Sequence, residues 1–184
     1  MFKQILVAID GSPTSTHAYR TALGLARESG MPLHVLHVID DAAVAQTFDG
    51  TAFISPAYVD GLLSGLREAG RRVIAAAQKN ADKEGCTIQP LLVETRGRSV
   101  ASVILAQIRK LRPDLLVLGT HGRRGISRLV MGSDAETVVR ESPIPVLLVR
   151  SRTSAGVGSR RARPAKPPRA AAAAPRKPAA RPLH

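Results

Sequence analysis

Residues 113–150 read PDLLVLGTHGRRGISRLVMGSDAETVVRESPIPVLLVR, and this stretch decides the fold. The apolar run at residues 115–118 predicts a strand that is buried on both faces. A glycine-rich loop follows, and after it we expect a helix over residues 126–140 and a last strand over residues 144–149. A strand, a loop, a helix and a second strand in this order indicate one unit of a parallel sheet.

Four glycines follow the predicted strand, and three of them, Gly119, Gly122 and Gly132, stand at spacings of three and ten residues, with Gly125 between the last two. Backbone N–H groups exposed at such glycines, just before a helix, can gather around an anion. Ser133 or Asp134 is the expected N-cap of the helix, and Glu136 fits a capping box. Neither the Walker A motif nor the dinucleotide motif G-x-G-x-x-G is present. The stretch predicts a nucleotide phosphate site, but its spacing fits a tight loop with close helix packing equally well.

The rest of the chain up to residue 112 repeats the same alternation. We expect strands over residues 2–9, 33–39 and 87–94, and helices over residues 14–29, 57–84 and 100–111. This order predicts an α/β fold, an open five-stranded parallel sheet with helices on both faces. Ligands bind such sheets outside the carboxyl ends of the strands, where the strand order switches. Asp10, Asp40 and Gly119 end three of the strands and therefore fall at this edge.

Charge divides the chain into two parts. The whole chain carries 27 Lys and Arg against 14 Asp and Glu, for a net charge of +13. Residues 151–184 hold nine of these basic residues and no acidic ones, so residues 1–150 are only mildly basic. We expect one folded domain over residues 1–150 and a disordered Ala/Pro/Arg/Lys tail over residues 151–184. Such a tail can bind nucleic acid or an anionic surface, or can have no dedicated partner.

Cysteine usage and hydropathy bear on the compartment. The single cysteine, Cys86, excludes an internal disulfide and favours a reducing environment. No apolar run reaches the ~18–20 residues that a membrane span needs. The apolar run at the start is too short for a signal peptide and ends at Asp10. We therefore expect a cytoplasmic protein without a transmembrane segment.

The quoted stretch resembles the carboxyl-terminal signature of the universal stress protein family, nucleotide-binding type, whose pattern is G-x2-G-x9-G-[ST]. The segments FKQILVAIDGSPTSTHAYRTALGLA and LHVLHVID resemble the first strand, first helix and second strand of that family. The resemblance covers roughly residues 1–150 and implies a Rossmann-like sheet, similar to the adenine nucleotide α-hydrolases, that binds ATP. It also implies a homodimer that is joined through the last strand, at Val146, Leu147, Leu148 and Val149.

The resemblance implies one nucleotide site, with Asp10 near the ribose and the backbone of Val38 at the adenine. Its full set of matching positions is Ala8, Asp10, Val38, Leu118, Gly119, His121, Gly122, Arg123, Gly132, Ser133, Asp134 and Ala135. Asp134 puts a carboxylate beside the phosphates, where repulsion is expected unless Mg²⁺ or an arginine intervenes.

The function implied is that of an ATP-binding regulator of the stress response, with ATP alone or with Mg²⁺ as its ligand. We expect no catalytic residues and no metal ligands in the protein, and at most slow hydrolysis of ATP, because no base is spaced to activate a water. Two alternatives remain open. One is an ATP-using enzyme of the adenine nucleotide α-hydrolase group, and the other is a nucleic-acid-associated protein that acts through its basic tail.

Overall fold

Short apolar runs form the strands, because their side chains are covered on both faces of the sheet. The computed structural model describes residues 3–42, 44, 55–120 and 131–150. The strands are β1 Ile5–Ala8, β2 Leu33–Ile39, β3 Ile88–Glu94, β4 Leu115–Gly119 and β5 Val146–Val149. They form a five-stranded sheet in the order β3-β2-β1-β4-β5, and every pair is parallel. The predicted open parallel sheet is therefore confirmed.

The helices of the described part are α1 Pro13–Ser29, α2 Pro56–Lys83, α3 Val100–Leu111 and α4 Ser133–Glu141. A serine caps each of the first three: the hydroxyls of Ser12, Ser55 and Ser99 accept a first-turn N–H. Helix α4 differs, because its N-cap is Gly132 and no side chain caps it. No helix in the described residues is long and apolar enough to cross a membrane.

The helices cover both faces of the sheet, as predicted. Helices α1 and α2 pack on one face, against a cluster that includes Ile5, Val7 and Val35. Helices α3 and α4 pack on the other face, against Leu6 and Leu116. Adjacent residues of β1 therefore point to opposite layers, because side chains alternate along a strand. The chain thus buries two apolar layers, one on each side of the sheet.

The predicted last helix was wrong at its start. Residues 131 and 132 are not helical, and α4 begins at Ser133 rather than at residue 126, while residues 126–130 lie outside the described part. Gly132 is extended (φ −64°, ψ 144°), and its N–H donates to the carbonyl of Thr120 at 3.0 Å. The predicted capping box was also wrong, because the N-cap is Gly132 rather than Ser133 or Asp134.

Two strands are shorter than predicted by two or more residues, and β3 begins one residue late, at Ile88 instead of residue 87. Strand β1 spans Ile5–Ala8 instead of residues 2–9, and the carbonyl of Gln4 instead accepts the N–H of Asp114, in the turn before β4. Strand β5 begins at Val146 instead of residue 144, because the Ser142 hydroxyl donates to the Ile144 carbonyl at 2.8 Å and holds a turn there. Neither difference moves the carboxyl end of a strand by more than one residue.

Candidate functional site

The order of the strands creates a crevice at one edge of the sheet. Strand β1 lies between β2 and β4. The helix that follows β1 packs on one face, whereas the helix that follows β4 packs on the other. The chain therefore leaves the carboxyl ends of β1 and β4 in opposite directions, which opens a space between them.

Asp10 is held at the β1 side of this crevice by the turn into α1. Its carboxylate oxygen Oδ1 accepts the N–H of Ser12 at 2.9 Å, and its own N–H donates to Ser15 Oγ at 3.2 Å. Gly11 has φ +83°, a backbone conformation that favours glycine. The sequence DGSP thus forms a turn that fixes the direction of the carboxylate and then starts α1.

Gly119 brings the end of β4 against the start of α1. A Cβ atom at this position would lie 3.0 Å from Thr14 Cγ2 and 3.2 Å from the backbone nitrogen of Ser15. Both separations are too short for an ordinary contact, so only glycine fits without displacing the helix. The spacing of the glycines in the sequence also fitted close helix packing, and this packing is present at Gly119.

Two backbone hydrogen bonds bring the start of α4 to the same place. The N–H of Gly132 donates to the carbonyl of Thr120, and the N–H of Thr120 donates to the carbonyl of Val149, each at 3.0 Å. Since Thr120 follows Gly119 directly, the first turn of α4 lies beside the end of β4. The first N–H groups of a helix have no partner within it and attract anions, and no side chain caps those of α4.

The apolar residues expected at the nucleotide lie together on the face of α3 and α4. Ala8, Val38 and Leu118 all belong to, or pack against, the core cluster of that face. They come from the ends of three adjacent strands, β2, β1 and β4. The predicted positions His121, Gly122 and Arg123 lie outside the described residues.

Asp134 makes a contact that the sequence did not suggest. Its Oδ1 accepts the N–H of Ala101, in the first turn of α3, at 3.2 Å. Ala135, the other predicted position on this helix, is partly buried. The carboxylate of Asp134 is therefore paired with a helix amide.

His37 supports the β1 side of the crevice, and the sequence did not identify this role. The ring is 3% exposed, and its Nδ1 lies 2.8 Å from the carbonyl oxygen of Ile9, the residue before Asp10. Helix α2 approaches the ring closely at Gly70, where a Cβ would lie 3.0 Å from His37 Cδ2. The only signal in the sequence is a polar residue within an apolar strand.

Asp41 joins the ends of β2 and β3. Its carboxylate accepts the Thr95 hydroxyl at 2.5 Å and the backbone N–H groups of Arg96 and Gly97 at 2.8 and 3.2 Å. The Thr95 hydrogen bond, followed by those backbone N–H groups, holds the pKa of Asp41 below its usual value, although partial burial opposes this. Arg96 and Gly97 both have positive φ, and their consecutive amides converge on the Asp41 carboxylate.

A second cavity lies on the face of α1 and α2. Its volume is about 470 Å³, and its lining includes Tyr19, Val73 and Ala77, with Arg72 and Asn80 among the polar residues. The Tyr19 hydroxyl donates to the carbonyl of Ala77 at 2.6 Å, and burial raises the pKa of Tyr19 to about 12. Asp10 alone among the described nucleotide positions lines this cavity.

Within the described residues, no three His, Cys, Asp or Glu side chains gather at a place where a metal ion would fit.

The sequence model of the universal stress protein family matches residues 1–150. The chain belongs to this family. This universal stress protein is similar to universal stress protein YxiE of Bacillus subtilis, with 30% identity over 151 residues that cover 82% of this chain and 100% of YxiE.

Solved structures of universal stress proteins share the fold. A family member from Burkholderia pseudomallei has a TM-score of 0.61 and 33% identity, over 80% of this chain and 95% of that chain. The universal stress protein from Archaeoglobus fulgidus in complex with dAMP has a TM-score of 0.54 and 21% identity, over 80% of this chain and 98% of that chain. At that identity, the second likeness bears on the fold alone.

Proposed function

We propose that this universal stress protein binds ATP, or a related adenine nucleotide, in the crevice between β1 and β4. In this proposal the bound nucleotide changes the state or the partner of the protein, and the protein acts as a regulator in stress tolerance. The observation that carries the proposal is the hydrogen bond from Gly132 N–H to the Thr120 carbonyl. It sets the uncapped start of α4 beside Gly119, at the switch of strand order.

The roles of the residues follow from their chemistry. The Asp10 carboxylate suits the ribose hydroxyls, which can donate hydrogen bonds to it. The backbone of Val38 would read the adenine edge, with Ala8 and Leu118 as apolar surface beneath it. The phosphates would lie over the amides of Ser133 and Ala135, with His121, Gly122 and Arg123 of the preceding loop, while Gly132 keeps its N–H on the Thr120 carbonyl. Mg²⁺ would bind with the nucleotide, held by its phosphates.

Two observations support this proposal beyond the geometry of the crevice. The chain belongs to a family in which one solved structure, that of the Archaeoglobus fulgidus protein, holds dAMP. The nucleotide pattern G-x2-G-x9-G-[ST] is complete in this chain at Gly119, Gly122, Gly132 and Ser133.

We propose binding rather than catalysis as the main activity. Asp10 is the acidic side chain of the β1 turn, and its Oδ1 already accepts the N–H of Ser12. In this proposal the carboxylate faces the ribose, away from the γ-phosphate that an attacking water would approach. Slow hydrolysis of ATP remains compatible with the proposal, because phosphate positioning alone gives some catalysis.

We also propose a homodimer formed through β5. This strand pairs with β4 on one side and ends the sheet, and its residues Val146, Leu147 and Leu148 are partly exposed. An apolar edge strand readily pairs with a second copy of the same strand. Sedimentation at micromolar concentration should give a dimer mass, and a monomer would contradict this part of the proposal.

Isothermal titration calorimetry tests the binding proposal. ATP with Mg²⁺ should bind the full-length protein, and Gly132→Val should abolish binding, because the added side chain obstructs the start of α4. Gly65→Ala is the matched control, because a Cβ there meets nothing within 4 Å. A wild-type protein that binds neither ATP nor AMP at millimolar concentration would contradict the proposal.

The tail favours a second candidate function. Its nine basic residues and lack of acidic ones suit binding to nucleic acid phosphates. Fluorescence anisotropy with duplex DNA should then show a log–log salt slope as steep as about −8 if all nine charges engage. Removal of residues 151–184 should abolish this binding and leave ATP binding intact. Preference for phosphatidylserine vesicles over DNA would contradict this candidate.

A further inference from the structure

Asp134 connects the first turns of two helices. It lies in the first turn of α4, and its Oδ1 accepts the N–H of Ala101 in α3 at 3.2 Å. Ala101 is the second residue of α3, so its N–H has no partner within that helix. The Ser99 hydroxyl accepts the neighbouring first-turn N–H of Ser102 at 3.1 Å. Helix α3 is thus capped twice, once by its own serine and once by Asp134.

Packing fixes the direction in which the Asp134 side chain points. Val138, four residues later, is fully buried in the same cluster as Ala101, Ile104 and Leu105 of α3. Residues four apart share a face of a helix, so the Asp134 side chain also faces α3. The N–H groups of the first turn of α4 point along the helix axis instead, toward the end where Gly132 bonds to Thr120.

The charge of Asp134 has a partner in α3. The first turn of α3 contains no acidic residue of its own. The partial positive charge at the start of a helix stabilises a nearby carboxylate. The Asp134 carboxylate therefore interacts with the partial positive charge at the start of α3, and its negative charge is not directed at the crevice.

We propose that Asp134 is a positioning residue for the nucleotide phosphates. Its carboxylate ties the start of α4 to α3 and so fixes the direction of the Ser133 and Ala135 amides, without contacting the nucleotide or Mg²⁺ itself. This inference rests on the proposed function. It explains how a family member can carry an acidic residue next to its phosphate-binding serine.

Three variants separate positioning from direct contact. Asp134→Asn keeps an oxygen that can accept the Ala101 N–H but removes the charge, whereas Asp134→Ala removes both. Glu136→Ala is the matched control, because it removes the other acidic charge in the first turn of α4. Calorimetry with ATP and with AMP, each with and without Mg²⁺, gives the affinities.

Asp134→Ala should weaken both ATP and AMP by about tenfold, the effect of roughly one lost hydrogen bond. Asp134→Asn should bind both ATP and AMP within about twofold of the wild type, because it keeps the acceptor for the Ala101 N–H and the charge that it removes faces α3. Glu136→Ala should stay within about twofold of the wild type. A loss with Asp134→Asn as large as with Asp134→Ala, or no loss with Asp134→Ala, would overturn the proposal.

Hydrogen exchange of the Ala101 amide tests the hydrogen bond between Asp134 and Ala101 without any nucleotide. The amide should be protected in the wild type and in Asp134→Asn, and should exchange faster in Asp134→Ala. Equal exchange in all three proteins would overturn the inference at its structural base. If exchange follows the expected order but the wild type binds no nucleotide, the Asp134–Ala101 hydrogen bond is present in solution. The proposed function and the positioning role then both fail.

Discussion

Gly65 and Gly70 lie in the same helix, and the same substitution at each should change stability in opposite directions. A Cβ at Gly65 would meet nothing within 4 Å, whereas at Gly70 it would lie 2.9 Å from Leu92 Cδ1 and 3.0 Å from His37 Cδ2. Gly65→Ala should therefore stabilise the protein by about 0.5–1 kcal/mol, the usual cost of glycine within a helix.

Gly70→Ala brings the same gain in helix stability, but its Cβ must displace the His37 ring, which cannot move freely. Leu92 is 38% exposed and can rotate away, whereas His37 is buried and bonds through Nδ1 to the Ile9 carbonyl. Overpacking of this kind costs about 1–3 kcal/mol, so after the gain from the helix the net loss is up to about 2.5 kcal/mol. Since Ile9 precedes Asp10, the displaced ring should also weaken nucleotide binding.

Urea unfolding of both variants beside the wild type measures these effects. The midpoint should rise for Gly65→Ala and fall for Gly70→Ala, with similar slopes, because the exposed surface hardly changes. ATP affinity should fall only in Gly70→Ala. Equal stabilisation by the two substitutions would refute the reasoning, because it would mean that neither the helix nor the ring is fixed at this contact.

Two other predictions concern single contacts at the same edge of the sheet. Gly119→Ala should lower the free energy of unfolding by about 1–3 kcal/mol, because its Cβ meets the backbone of Ser15. The control Gly24→Ala in α1 has open space around its Cβ and should raise the free energy of unfolding. Equal thermal midpoints for the two variants would contradict this prediction. Asp41→Asn should cost about 1–2 kcal/mol at pH 7, as measured by urea unfolding, because Asn cannot accept all of the bonds from Thr95, Arg96 and Gly97. Folding lowers the pKa of Asp41, so its carboxylate stabilises the folded protein at pH values above its unfolded pKa of about 4. This stabilisation is lost as the pH falls through the folded pKa. The difference in unfolding free energy between variant and wild type should therefore be smaller at pH 3 than at pH 7. If variant and wild type differ in unfolding free energy as much at pH 3 as at pH 7, the charge of Asp41 is not what holds the backbone of Arg96 and Gly97.

Local sequence signals predicted the elements that depend on neighbouring residues. Apolar runs identified all five strands of the described sheet, and the helices predicted over residues 14–29 and 100–111 agree with α1 and α3 to within one residue. Pro90 lies within β3, and β3 is an edge strand, the position in a sheet where proline is tolerated. These features follow from side-chain periodicity and from residues close to one another in the chain.

Most of the features that the sequence did not predict depend on partners far along the chain. Asp41 bonds to Thr95, and Asp134 bonds to Ala101, across more than thirty residues in each case. The start of α4 is set by Gly132 bonding to Thr120 across the loop, so the apolar pattern before it misled the helix prediction. Such contacts exist only after the sheet and helices have assembled, and no local pattern encodes them.

An NMR titration with ATP and Mg²⁺ tests the location of the site most directly. Amide shifts should move at the crevice, at Val38, Gly119 and Ser133, in amounts that saturate with ATP. Residues of the cavity on the opposite face, such as Val73 and Ala77, should stay in place. Shifts confined to that cavity, or no shifts at millimolar ATP, would contradict a nucleotide site between β1 and β4.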